Sequence, residues 1–266
     1  MTIILYDFPS KTGDAPWNPN VWKTRCAQDT AHVATKLIDP HRYTLNYKGI
    51  PFKTELIKYV EVEKVLKEKG VPPSSNLSPT ATYTYALPSI FDTSTGARVS
   101  ESHRIAEYLD KTYPDTPKVI PPGTEALQTT WIEAVMTSLG PLRQFSLPGT
   151  LNLIVDSESR EYFHRSRTIM FGKDLKEMTP QGEAWDVAIK ELEKGFNAID
   201  QWILKSGGPY VMGDTPSFAD FVLAGFLKWT KASVGKDSKE WQLITSWNEG
   251  RWAKRLEQLA KYENPQ

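Results

Sequence analysis

The sequence predicts an α/β domain followed by an all-helical domain. Three observations predict it. Strand-like apolar runs, such as Ile3-Ile4-Leu5-Tyr6 and Ser89-Ile90-Phe91, fall in residues 1–113. A break rich in proline, Pro114-Asp115-Thr116-Pro117 and then Pro121-Pro122-Gly123, marks a linker over 114–123. Beyond it, in 124–266, the apolar spacing is helical and few strands are evident.

In chain order, residues 2–6 read as a strand and 51–59 as another, with Phe52, Thr54, Leu56 and Ile57 in imperfect alternation. Residues 83–87 and 89–91 read as two further strands. Asp92-Thr93-Ser94-Thr95-Gly96 supplies turn residues, so a hairpin with Ala97-Arg98-Val99 is expected. A helix over 101–111 follows, with Ile105, Tyr108 and Leu109 on one face. Later helices are expected over 124–139, 157–171, 181–205, 217–230 and 238–256. Thr215-Pro216-Ser217-Phe218-Ala219-Asp220 has capping-box spacing, with aspartate in place of Glu or Gln, ahead of the most apolar helix. Asp220→Ala is predicted to lower stability by about 1–2 kcal/mol. Residues 70–79 read as a long irregular connection.

Lys plus Arg and Asp plus Glu number 32 each among 266 residues, so no broad field steers the chain toward nucleic acid or an anionic membrane. No apolar run reaches bilayer length, and no secretory leader is evident at the start. The single cysteine, Cys26, excludes an internal disulfide and fits a reducing, cytoplasmic setting. Histidines at 32, 41, 103 and 164 are too scattered for a metal set, and none is expected.

Two motifs carry chemistry. Leu87-Pro88 places a residue without an amide donor beside a strand, which suits a cis bond turning the preceding backbone toward a ligand. Glu101-Ser102 opens a helix and joins a carboxylate, a hydroxyl and free backbone N–H groups. Such a set can hold the charged amino-acid end of a small peptide.

The order of these features resembles a cytosolic glutathione transferase over nearly the whole chain. Leu5-Tyr6-Asp7, the run from Trp17 through Asn18, Pro19 and Asn20 to Arg25, the run from Tyr43 to Pro51, and Glu161-Tyr162-Phe163 with Arg165 are similar to the fungal-specific class A, which is related to bacterial β-etherases. The resemblance implies a thioredoxin-like glutathione-binding domain over 1–113 and a helical domain over 124–266 that contributes the hydrophobic substrate site. It implies glutathione as substrate, hydrophobic aromatic small molecules as partners and a homodimer. Glu101 and Ser102 would hold the γ-glutamyl end, the Leu87 backbone would pair with the cysteinyl part, and Pro88 would be cis. Asn18 and Asn20 stand where the thiol-facing residues belong. The branch commonly has serine where this chain has Asn18. Either the Asn18 amide donates to the thiolate or a neighbouring backbone N–H does, and weak activity is the expectation. Residues 26–42 are an extra piece between two segments that adjoin in relatives.

Phe8 and Trp17 are the favoured lining residues for an aromatic ligand, ahead of Tyr6, Trp22, Tyr83, Trp131, Phe163 and Phe171, whose default role is core packing. Arg25, Lys53, Arg98 and Arg104 are surface residues that could reach a carboxylate. Cys26 reads as incidental and His103 as a helix-face residue. Three outcomes stay open: a transferase acting on aromatic electrophiles or aryl ethers, a non-catalytic (ligandin-type) carrier of phenolics, or a structural protein that has lost glutathione.

Overall fold

A computed structural model describes residues 2–11, 17–22, 43–75 and 83–263, with backbone alone at Val21 and Trp22. Cys26, Arg25, His32, His41, the extra piece 26–42 and the end of the 70–79 connection lie outside the described residues. The first half holds β1 (Ile3–Asp7), α1 (Pro19–Trp22), α2 (Tyr43–Lys48), β2 (Phe52–Leu56), α3 (Val62–Glu68), β3 (Ser89–Asp92), β4 (Arg98–Ser100) and α4 (Ser102–Thr112). The helical half holds α5 (Glu125–Ser138), α6 (Leu142–Thr150), α7 (Ser157–Phe171), α8 (Glu183–Leu204), α9 (Phe218–Val234) and α10 (Lys239–Leu259). This is the thioredoxin-like plus all-α arrangement.

The sheet runs β2-β1-β3-β4, with β1 parallel to β2 and the other pairs antiparallel. Alternation along β1 sends Ile3 and Leu5 to a small core with Leu45 of α2, Ile90 of β3, and Ile105 and Leu109 of α4. Tyr6 points the other way, into the large core shared with the helical half. Sequence and structure part at residues 83–87, which are irregular. The stretch carries one backbone hydrogen bond to residues 71–75, Ser74 N donating to Thr84 O at 2.9 Å, and joins no sheet ladder among the described residues. The strand expected over 51–59 is confined to β2. Two helices, α3 and α6, had no counterpart in the sequence reading.

α6 continues through Pro148, and the Gln144 carbonyl that the proline leaves without a helical donor accepts from Thr179 Oγ1 at 3.0 Å, while Gly149 lets the helix close on α9. A Cβ on Gly149 would meet the Ser233 carbonyl oxygen at 1.9 Å. The side chains of Asp156 and Ser238 cap α7 and α10, accepting from Ser159 N at 2.8 Å and Trp241 N at 3.1 Å. α10 is interrupted by non-helical geometry at Trp247 and positive φ at Asn248, Glu249 and Gly250.

The capping box at α9 forms as expected. Asp220 accepts from Ser217 N and Ser217 Oγ, both at 2.9 Å, and from Val211 N at 2.8 Å. Burial pushes its pKa from 3.8 to about 6, against the pull of those donors and of Arg255. The folded state therefore holds the proton more tightly than the unfolded chain. That contribution is fully present below 3.8 and is lost as pH rises through about 6. Wild type is expected to gain on Asp220→Asn, by up to about 3 kcal/mol, between pH 7 and pH 4. Urea unfolding of both proteins across that range checks it, and a constant gap would contradict the burial argument.

Candidate functional site

β3 and β4 form a hairpin in which Ser89 lies opposite Ser100. Leu87-Pro88 enters this pair and Glu101-Ser102 leaves it, so both motifs sit at one end of the sheet. Glu101 N donates to Pro88 O at 3.2 Å, and the Ser89 hydroxyl donates to Ser100 Oγ at 3.1 Å. The Leu87–Pro88 bond is cis. Glu101 holds φ at 74°, uncommon for a residue with a side chain, and turns the chain from β4 into α4. Its carboxylate accepts from Ser75 N at 2.5 Å and Ser75 Oγ at 2.9 Å. Ser102 is the first residue of α4.

Beside this corner lies a cavity of about 490 Å3 between the sheet and the helical half. Leu87, Ala86, Tyr83 and Tyr85 line it from the hairpin approach, and Phe8, Trp17, Asn18 and Asn20 line it from the chain after β1. That chain crosses to the helical half, where Ser10 bridges Ile154 and Lys11 N donates to Leu153 O at 2.9 Å. Phe8 and Trp17 are each 2% exposed and stack at 4.5 Å, and Trp17 Nε1 donates to Pro9 O at 3.1 Å. Trp17 meets Tyr59 and Phe163 edge-on, each at 5.4 Å. The aromatic wall thus continues from the first half onto α7.

Asn18 precedes α1, and its Oδ1 accepts from Asn20 N at 2.8 Å. That bond assigns the amide so that its NH2 group remains a donor. Pro19 carries no amide hydrogen. Asn20 is exposed at the rim, with its N–H committed to Asn18.

Of the other aromatic candidates, Tyr83, Phe163 and Phe171 line the cavity. Tyr6 and Trp131 belong to the core instead, and the side chain of Trp22 lies outside the described residues. Arg98 donates to Lys69 O at 2.5 Å and Gly96 O at 3.0 Å, and covers Phe91. Arg104 reaches Ser75 Oγ at 3.5 Å. His103 stacks on Phe218 at 5.4 Å, joining α4 to α9. The sequence reading missed Tyr59, Tyr162, Arg143 and Arg167 in the wall. Burial raises the Tyr59 hydroxyl pKa, with Arg167 opposing it, so the phenol stays protonated at neutral pH. Among the described residues no group of three His, Cys, Asp or Glu could hold a metal ion, and no helix is long and apolar enough to cross a membrane.

Residues 126–262 match the family described as glutathione S-transferase, C-terminal domain. Over 207 residues, 71% of either chain, the sequence is 31% identical to the glutathione S-transferase-like protein ustS of Aspergillus flavus. The fold is similar to the glutathione S-transferase CsGST63524 of Ceriporiopsis subvermispora in complex with glutathione. The TM-score is 0.86 at 38% identity, over 99% of this chain and 98% of that one. It is also similar to glutathione transferase GSTFuA3 from Phanerochaete chrysosporium, with a TM-score of 0.85, 34% identity and the same coverage.

Proposed function

The chain belongs to the glutathione S-transferase family, and from that premise we propose that it binds glutathione at the hairpin corner and transfers it to hydrophobic aromatic acceptors in the adjoining cavity. The observation that carries this reading is the placement of Leu87-Pro88 and Glu101-Ser102 at one end of β3 and β4, with Leu87 itself lining the cavity. In this reading Glu101 and Ser102 hold the γ-glutamyl head and the Leu87 backbone pairs with the cysteinyl unit. The similarity to GSTFuA3 supports placing the chain in the fungal-specific class A. Aryl ethers of the kind cleaved by β-etherases join electrophilic aromatics as acceptors, and a cytoplasmic homodimer is the working assembly.

The chemistry asked of the protein is small. A donor aimed at the sulfur favours the thiolate and lowers the thiol pKa. Pro19 has no N–H and that of Asn20 is spent on Asn18, which supports the Asn18 side-chain amide as the donor. The thiol proton passes to solvent. The thiolate forms a carbon–sulfur bond, and in a substitution the leaving group departs with its electron pair. Positioning over the aromatic wall supplies most of the remaining acceleration.

Calorimetric titration with glutathione and turnover on chlorodinitrobenzene test the proposal together. Ser102→Ala is expected to weaken glutathione binding roughly tenfold to a hundredfold, the worth of a hydrogen bond to a charged group. Asn18→Ala is expected to keep that affinity and move the pH–rate profile alkaline by about one unit. No heat with millimolar glutathione would sink the assignment. Heat without turnover on chlorodinitrobenzene, an isothiocyanate or a β-aryl ether would favour a carrier of phenolics, a reading supported by the absence of a serine hydroxyl at Asn18 and by the aromatic cavity.

A further inference from the structure

The helical side of the cavity carries two guanidinium groups that pair with no carboxylate among the described residues. Arg167 of α7 sits with its guanidinium carbon 4.9 Å from the ring centre of Phe163, 5.2 Å from Tyr83 and 5.9 Å from Tyr59. Its one side-chain hydrogen bond among the described residues is a 3.5 Å contact to the Ser166 hydroxyl. Ring faces hold such a cation by its flat surface and leave its N–H edge for an acceptor. Arg143 of α6 lines the same cavity from its exposed mouth and makes no ion pair among the described residues, whereas Arg167 is half-buried. Among the described residues of the lining the one carboxylate, Glu63, is paired with Lys67 at 2.5 Å on an exposed helix face. The cavity is therefore locally positive in a chain whose formal net charge is 0.

We propose that this cavity selects aromatic acids: planar ring systems bearing a carboxylate, which Arg167 pairs with while Phe8, Trp17 and Phe163 take the ring. The proposal rests on the cavity being the acceptor site and names which acceptors it prefers. A partly desolvated guanidinium without a counter-ion gains more from a carboxylate than from a neutral group of the same shape.

The test compares naphthoate with naphthamide, which share ring and shape and differ in charge. Both are titrated calorimetrically into the full chain, with and without saturating glutathione. Naphthoate is expected to bind about tenfold tighter or better. The preference should fall to about twofold or less in the Arg167→Gln, Arg143→Gln double variant, whose melting curve is recorded first. Equal affinities in the wild type would overturn the proposal and need no variant to do so. An undiminished preference in a folded double variant would also overturn it. Should the double variant not fold, Arg143→Gln and Arg167→Gln are read singly, and a preference unchanged in both would count the same way. Glutathione titrated into the same samples separates the two readings. A naphthoate preference without glutathione heat sinks the transferase proposal alone, and glutathione heat without the preference sinks the aromatic-acid site alone.

Discussion

Asp110→Ala is expected to destabilise the protein by about 3–5 kcal/mol, the cost of removing one partner from a buried ion pair. Asp110 lies on α4 at 8% exposure and accepts from Lys48 Nζ at 2.6 Å. Its carboxylate also takes the backbone N–H of Val119, at 3.1 Å to each oxygen, and of Ile120 at 2.8 Å. One side chain thus ties α2, α4 and residues 119–120 together. Alanine would strand a buried ammonium and two buried amides at once. Lys48 also donates to Pro117 O at 3.0 Å, and burial pulls its ammonium below the ordinary lysine value while Asp110 opposes that pull. Lys48→Met should cost less than Asp110→Ala, because the carboxylate keeps its two amide donors. Urea unfolding of both variants measures the order. An Asp110→Ala protein within about 1 kcal/mol of wild type would show that this junction is not under the strain of desolvation assigned to it.

The second large effect is expected at Asp200, on α8 and wholly buried. Its carboxylate accepts from Arg251 Nε at 3.1 Å to both oxygens, from Arg251 Nη2 at 2.8 Å and from Arg255 Nη2 at 3.2 Å. Both arginines follow the positive-φ run at Asn248, Glu249 and Gly250. The run is also held by Asn248 Nδ2 donating to Asn197 Oδ1 and by Trp252 Nε1 donating to Asn248 Oδ1, each at 2.7 Å. Asp200→Ala would leave two cations facing one another against α8, at about 3–5 kcal/mol. Glu249→Ala is the control. Glu249 pairs with the same Arg251 at 2.9 Å, but its side chain is 87% exposed. An exposed pair of that kind is worth about 0–1 kcal/mol. Thermal melts of the two variants should therefore differ widely, and similar melting temperatures would mean that Asp200 is not the anchor of this corner.

Local signals were legible and tertiary ones were not. Residues 157–171 were bounded correctly because Asp156 caps one end of α7 and Gly172, in the left-handed region, closes the other. The hairpin with its two flanking motifs was readable for the same reason, since turn residues and a proline act over a few positions. Residues 83–87 misled because tyrosines favour strands, while strand formation needs a neighbouring strand in register, and this stretch lies in the approach to β3 and joins none among the described residues. α6 was hidden by Pro148 and Gly149, which argue against a helix until Thr179, bonded to the Gln144 carbonyl, and the crossing with α9 supply their reasons. Phe8 and Trp17 were found because they flank a loop bound for the helical half. Arg143 and Arg167 were not, because an arginine on a helix looks like solvated surface until three rings from distant parts of the chain gather around it.

The residues proposed for the tripeptide's head and middle flank the β3–β4 hairpin, whereas the guanidiniums ride on α6 and α7. Drift along those two helices can retune which guest enters without disturbing Ser89 opposite Ser100. A paralogue with other side chains at 143 and 167 would inherit the donor end intact and diverge in its diet. Duplicated copies of such a gene have an inexpensive route to new chemistry, one helix face at a time.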